Sequence, residues 1–263
     1  MVERTGSGDP LQSLALLWRT NVKTGRSGLT LDSIIDAGIT VAGASGVEGL
    51  SMRKIAEQLG VSAMSLYAHV PSKAELIDLM VDHVNGEAYP EAEHRPPQSG
   101  WRAGVGAIAE RNWQLLSEHR WLLDLDTARP PLGPGTTAKY DIELAPLVGI
   151  GLDDIETDQV LTLVLEHVKA AARLSSAVAE TSRTTGSSDQ EWWTVAGPVL
   201  SALIDPARFP NASRIGLAAG QEYNSAVDPN RTYIFGLRMI LDGVEGLIAQ
   251  KREAARDTVG RAH

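Results

Sequence analysis

The sequence predicts an all-α fold, on three observations. Apolar residues recur at three- and four-residue spacing between short polar or Gly/Pro-rich breaks, aromatic residues make up only 5% of the chain, and no stretch alternates apolar with polar residues like a half-buried strand. The 263 residues are 43% hydrophobic and 22% charged, which suits a globular protein with a sizeable core and excludes a disordered tail or a fibre. Cysteine is absent, which removes disulfides, thiol catalysis and every cysteine-ligated metal site. Apolar runs such as Val160–Leu165 fall far short of the roughly 20 residues that span a bilayer. The first ten residues carry Glu3 and Asp9 in place of a signal-peptide core. The expectation is a cytoplasmic protein with no membrane partner.

The elements follow in order. Leu11–Arg19 predicts a short helix. Leu31, Ile34, Ile35, Ile39 and Ala42 form the stripe of a first head helix, with Thr30 placed to cap it. Ser51 opens a second helix that buries Met52, Ile55 and Leu59 and is stopped by Gly60. Ser62 caps a third, running through Met64, Leu66, Tyr67 and His69 to Pro71. Ser72 with Glu75 three residues later is the capping-box pattern of a fourth, carrying Leu76, Ile77, Leu79, Met80 and Val84. Beyond Pro96 and Pro97 the pattern predicts five longer helices: Trp101–Glu118, Thr136–Val148, Thr157–Thr185, Glu191–Leu203, and Pro229 to about Arg256.

The breaks between them, at Gly25–Gly28, Glu91–Gly100, Arg129–Gly135, Thr181–Ser188 and Asp205–Ser213, organise the chain. They suggest an amino-terminal arm at 1–28, a four-helix head at 29–90 and a helical body at 98–256. Net charge is −9, yet residues 1–75 hold seven basic and seven acidic groups, so the whole negative excess lies beyond them. A neutral head with clustered cations is attached to an acidic body.

The stretch from Ser51 to Lys73 reads as a helix-turn-helix: two short helices joined by a tight Gly-containing turn hold the second proud of the body, where its amino-terminal half can enter a major groove. Small residues at that entry, Ser62, Ala63 and Ser65, allow close approach to base edges. Ser51 and Ser62 leave helix amino termini open to phosphate oxygens. Arg53, Lys54, Tyr67, His69 and Lys73 surround the proposed reading helix with donors suited to phosphates. From spacing alone, packing within an ordinary bundle is the competing reading.

Residues 30–84 resemble the amino-terminal domain of the tetracycline-repressor (TetR) family of regulators. The resemblance is carried by Leu-Thr-Leu-Asp-Ser-Ile-Ile-Asp-Ala-Gly from Leu29, Gly-Leu-Ser-Met-Arg-Lys-Ile-Ala-Glu-Gln-Leu-Gly-Val-Ser from Gly49, and Leu-Tyr-Ala-His-Val-Pro-Ser-Lys-Ala-Glu-Leu from Leu66. Trp101-Arg102, Ser117-Glu-His-Arg120, Arg129-Pro130, Tyr140 and Glu166-His167 fall in the order of the tetracycline repressor's own branch. The resemblance implies a repressor that binds operator double-stranded DNA as a homodimer and releases it when a small-molecule effector enters the body. It implies that Ser62, Ala63, Met64 and Ser65 face bases while Ser51, Arg53, Tyr67, His69 and Lys73 grip phosphates. It also implies a body pocket drawn from Ile108, Asn112, Trp113, Leu116, Arg129, Leu163, Glu166, His167 and Ala170. Asn112 stands where the tetracycline repressor carries an aromatic residue, and Leu125 and Asp126 occupy the region of its metal-binding histidine. A magnesium-tetracycline ligand is therefore not implied, and no metal or cofactor is expected.

Several residues keep two readings. Lys23 and Arg26 could reach a minor groove from the arm or form a solvated linker. Six tryptophans against two phenylalanines suit a pocket for flat organic molecules, or an interhelical core. Glu166 and His167 are adjacent on one helix, so at most one faces a pocket centre. Ile234, Leu237, Leu241, Val244 and Ile248 form a stripe that could bury against the same chain or a two-fold mate, and paired half-sites favour the mate. No Gly-x-Ser-x-Gly elbow, phosphate-binding glycine loop or His-Glu-x-x-His pair occurs. The expected function is a ligand-responsive, non-enzymatic repressor whose effector is small, hydrophobic and ring-containing. The competing classes are a helical enzyme with a DNA-binding head, using Glu166, His167 or His119, and a constitutive DNA-binding dimer without ligand.

Overall fold

The computed structural model describes residues 2–20, 29–90, 96 and 100–260, with side chains to residue 257. Lys23, Arg26 and most of the break at 91–99 lie outside the described residues. Among those described there are eleven α-helices and no strand, in agreement with the all-α expectation; one isolated parallel bridge joins Arg4 to Asp126.

The helices are α1 (Pro10–Leu17), α2 (Leu31–Ser45), α3 (Met52–Leu59), α4 (Ala63–Tyr67), α5 (Lys73–Gly86), α6 (Trp101–Glu118), α7 (Pro134–Leu144), α8 (Asp154–Thr185), α9 (Asp189–Leu203), α10 (Pro210–Tyr223) and α11 (Pro229–Gly260). Short 3-10 turns at Arg120–Asp124 and Ala145–Leu147 extend α6 and α7. Two compact units result: residues 1–165 with 244–263, and residues 166–243.

Local chemistry sets the helix starts. The Thr30 hydroxyl accepts from the Ser33 amide and the Ser33 hydroxyl returns the bond to the Thr30 backbone, while Asp9, Ser51, Ser62 and Ser188 cap α1, α3, α4 and α9. Gly60 ends α3 in the left-handed conformation at φ 67°, where an L side chain would be strained. The helix α4 is shorter than its sequence suggests, because the amides of His69 and Val70 both converge on the Leu66 carbonyl and close the last turn ahead of Pro71. The predicted capping box at Ser72 takes another form: Ser72 accepts from the Ala74 amide, and the Glu75 carboxylate engages the Ser72 hydroxyl and the Asp9 amide.

Ile34, Ile35, Ile55, Leu66, Leu76, Ile77 and Met80 interlock as the core of the head, and the same cluster runs on through Leu115, Trp121 and Leu125. The helix α10 begins inside the predicted break at Asp205–Ser213 and continues through residues that the sequence pattern assigns to no element. It packs against α9. No helix among the described residues is long and apolar enough to cross a membrane.

Candidate nucleic-acid interface and effector-binding body

The α3–turn–α4 unit is built from two anchors and one presented edge. Leu66 and Val70 are fully buried, so α4 is rooted in the head by its far face. Its amino-terminal edge then points to solvent, with Met64 78% exposed and Ser62 and Tyr67 also exposed. Ala63 and Ser65 are half-buried beside them. The Ser62 and Ser65 hydroxyls lie 2.8 Å apart, and the Ser65 amide donates to Ser62 Oγ at 3.3 Å. That pairing fixes the first turn and leaves small polar groups on the presented edge.

The residues expected to hold phosphates lie at the start of α3, at the end of α4 and just after it, and at the start of α5. Ser51 caps α3, accepting from the Lys54 amide at 3.3 Å. Arg53 is exposed and 3.5 Å from Glu57, one helical turn on. His69 is half-buried just after α4. Lys73 behaves differently, because its ammonium donates to the Glu3 carboxylate at 2.8 Å and to the Val47 carbonyl at 3.2 Å. Sequence reasoning missed Glu3, which lies seventy positions away and carries no local signal.

The amino-terminal segment crosses the outer side of α5. The Gly6 amide and the Ser13 hydroxyl donate to the two oxygens of Asp78 at 2.8 and 3.0 Å, and the Asp9 amide donates to Glu75 at 3.0 Å. Burial, with a smaller push from Glu75, raises the Asp78 carboxyl above its usual value of 3.8 despite those two donors. On its other side the segment pairs with loop 126–132: Thr5 N donates to the Asp126 carbonyl, Asp126 N to the Glu3 carbonyl, and the Thr5 hydroxyl to the Arg129 carbonyl at 2.6 Å. A cavity of about 390 Å³ opens between them, lined by Pro10, Leu14, Leu17, Arg129, Pro131 and Leu132 among others.

The residues expected to form a body pocket divide between the two units. Ile108 and Asn112 are buried on α6, Trp113 and Leu116 are half-buried, and Arg129 and Leu163 are exposed. In the second unit Glu166 and Ala170 are exposed and His167 is half-buried. His167 Nε2 lies 2.9 Å from the Tyr233 carbonyl, and the two rings stack at 6.3 Å. The unit of residues 166–243 also holds a cleft of about 620 Å³ between α9 and α10, lined by Trp193, Pro198, Leu200, Ile204, Leu217 and Gln221 among others. Trp121 is a core residue and Trp192 is exposed.

Asn112 joins a buried polar knot that the sequence did not reveal. Glu143 on α7, 1% exposed, accepts from Asn112 Nδ2 at 2.6 Å, from Lys139 Nζ at 2.8 Å and from the Tyr89 hydroxyl at 2.9 Å. Burial, reinforced by the Glu143 carboxylate, holds the Tyr89 phenol far above its ordinary value. Arg111, next to Asn112, donates to the carbonyls of Ala88 and Glu87 just beyond α5. The chain leaving the head is therefore tied to α6 and α7 by charge-assisted bonds. His119, closing α6, has its imidazole pKa lowered by burial. Among the described residues no group of three or more histidine and carboxylate side chains is placed to hold a metal.

A helix-turn-helix head followed by a helical body defines the class of DNA-binding transcriptional regulators, and comparison with known proteins agrees. Residues 34–80 match the family of bacterial regulatory proteins of the tetR type, and residues 93–248 match the tetracyclin repressor-like C-terminal domain. The chain belongs to the TetR family of transcriptional regulators, which are not enzymes. It is similar to the HTH-type transcriptional repressor DrrR1 of Streptomyces coeruleorubidus, at 37% identity over 254 residues that cover 95% of this chain and 91% of that one. Among solved structures it is similar to apo ActR from Streptomyces coelicolor, with a TM-score of 0.67, 27% identity and coverage of 88% and 100%. ActR in complex with actinorhodin matches with a TM-score of 0.66 and 26% identity over 84% of this chain and 99% of that one.

Proposed function

We propose that this regulator is a repressor that binds operator DNA as a homodimer and lets go when a small, largely apolar, ring-containing molecule binds its carboxyl-terminal domain. The observation that carries the DNA reading is the presented edge of α4, where an exposed methionine and small hydroxyl residues stand on a helix rooted by Leu66 and Val70. Met64, on that edge, is of a type that can contact a thymine methyl. In this reading Ser62, Ala63, Met64 and Ser65 face bases, and Ser51, Arg53, Tyr67, His69 and Lys73 hold phosphates. The boundaries at 1–28, 29–90 and 98–256 separate arm, head and effector-binding body.

The effector class rests on the tryptophan-rich body and on the complex of ActR with actinorhodin. Ile108, Asn112, Trp113, Leu116, Arg129, Leu163, Glu166, His167 and Ala170 are its proposed contacts. The stripe on α11 is partly spent within the chain, since Leu241, Val244 and Ile248 are buried, and the dimer reading rests on Ile234 at its start together with Phe235 and Met239 on another face, all three exposed. Two copies related by a two-fold axis would set reading helices roughly 34–36 Å apart, one turn of DNA. An effector that binds a wider-spaced state better lowers DNA affinity by the same coupling energy.

The test is selection of bound fragments from genomic DNA, followed by titration of variants. Tyr67→Ala should weaken operator and random DNA alike and reduce the salt slope, whereas Ser65→Ala should change sequence preference. Unchanged affinity of Tyr67→Ala across salt would remove that residue from the interface. Trp113→Ala should abolish release by an active effector while sparing DNA binding. A full-length dimer that no ring-containing compound can displace would instead support the constitutive reading.

A further inference from the structure

We infer that Glu3 sets the DNA affinity of this regulator by occupying, within the same chain, the place on Lys73 that a DNA phosphate would take. The inference rests on the reading of Lys73 as a phosphate-holding residue.

The geometry separates this pair from an ordinary surface ion pair. Glu3 and Lys73 meet at 2.8 Å with their side chains only 33% and 26% exposed, and Lys73 is further oriented by the Val47 carbonyl. Arg53 and Glu57 provide the contrast, 3.5 Å apart with side chains 81% and 65% exposed. An exposed pair of that kind is screened and gives way readily to a polyanion. The Glu3 carboxylate is held by its backbone. Asp126 N donates to the Glu3 carbonyl, Thr5 N donates to the Asp126 carbonyl, and Gly6 N binds Asp78 on α5. Gly6 sits at φ 62° with room for no side chain, since a Cβ there would fall 2.6 Å from Arg129 Cβ. A carboxylate fixed within a residue or two of such anchors competes as a tethered ligand, at high effective concentration.

Charge makes the competition matter. The first 75 residues are neutral overall, so each cation withdrawn from the head is a large fraction of its attraction for DNA. When a phosphate approaches Lys73, Glu3 must give up its ion pair, and that loss is set against the new contact. The exchange lowers affinity and does not depend on base sequence. The position of Glu3 is in turn fixed by loop 126–129, whose Arg129 carbonyl accepts from Thr5.

The test uses the full chain and a random-sequence 30-base-pair duplex (order of three turns of helix), followed by fluorescence anisotropy over a range of salt. Glu3→Gln should tighten binding by about two- to fivefold per head, the range of a modest ion pair. It should also steepen the salt slope by about 0.9 per head, one recovered phosphate contact. Lys73→Met should weaken binding, and Glu3→Gln added to it should change nothing further. Unchanged or weaker binding by Glu3→Gln, with Lys73→Met still impaired, overturns the inference and leaves Lys73 as a phosphate contact. A tightening that persists in the Lys73→Met background overturns it too, because general charge is then responsible. If Lys73→Met alone binds like the parent, the phosphate reading of Lys73 fails and the inference fails with it.

Discussion

Replacing Lys139 by methionine tests whether the buried knot on α6 and α7 is the tie between head and body that its geometry suggests. The substitution keeps the aliphatic volume and removes the charge that faces Glu143 at 2.8 Å. Glu143 is then left in the interior with only the Asn112 amide and the Tyr89 hydroxyl as donors. Breaking one side of a buried ion pair costs about 3–5 kcal/mol, because the surviving charge is uncompensated. At about 2–4 °C per kcal/mol for a chain of this size, thermal unfolding followed by circular dichroism should fall by about 6–20 °C. Adding Glu143→Gln removes that stranded charge while an amide oxygen still accepts from Asn112 and Tyr89. The double variant should therefore recover at least about 1.5 kcal/mol of the loss, although its new amide N–H groups lack the lysine's place in the network. A Lys139→Met protein that melts within 2 °C of the parent (under about 1 kcal/mol), or a double variant no more stable than the single, would refute the buried-pair reasoning.

Three further outcomes follow from the same kind of accounting. Asp78→Asn should leave the melting temperature at pH 7 unchanged or higher, since an amide can serve both the Gly6 amide and the Ser13 hydroxyl without a desolvated charge. The parent should gain on that variant as pH falls through the raised Asp78 value, because its folded state takes up the proton more readily than its unfolded state; parallel melting curves from pH 4 to 7 would contradict the assignment. His119, whose pKa is lowered by burial, should make the parent lose stability as pH falls below its ordinary value of 6.5, and His119→Gln should flatten that slope in a pH series of denaturant titrations. On α11, Gly243→Ala has open space and should stabilise by about 0.5–1 kcal/mol, whereas Gly236→Ala would overlap the stacked His167 ring and should destabilise; equal melting shifts would show that His167 is not seated there.

The head was legible because its signals are local. Thr30, Ser51 and Ser62 lie within three residues of the amides they cap, Gly60 supplies the left-handed turn, and the apolar stripe of α2 repeats within one helix. Each can be recognised without knowing where the rest of the chain goes. The segment from Pro210 to Tyr223 failed that test. Its first turn, Pro210–Ser213, falls in the Pro- and Ser-bearing break that reads as punctuation, and α9, against which it packs, is a partner the sequence does not point to. The end of α4 failed more narrowly, since a Leu66 carbonyl shared by two amides cannot be read from the order His69-Val70-Pro71.

The candidate sites divide along the same line. Residues of the α4 edge are exposed because Leu66 and Val70 are buried, a consequence of helical period that the sequence carries. Lys139 and Glu143, four apart on a helix, have by contrast the spacing of a solvent-facing ion pair. Their burial follows from where Tyr89 and Asn112 arrive, 54 and 31 positions away, and no local pattern encodes that meeting. Lys73 shows why this matters for function. Its place just after the helix-turn-helix suggests a phosphate contact, but the carboxylate paired with it, Glu3, lies seventy positions earlier. The residue types proposed to touch DNA can thus be read near the helix-turn-helix, while the partners that already hold them, such as Glu3 on Lys73, exist only once the chain is folded.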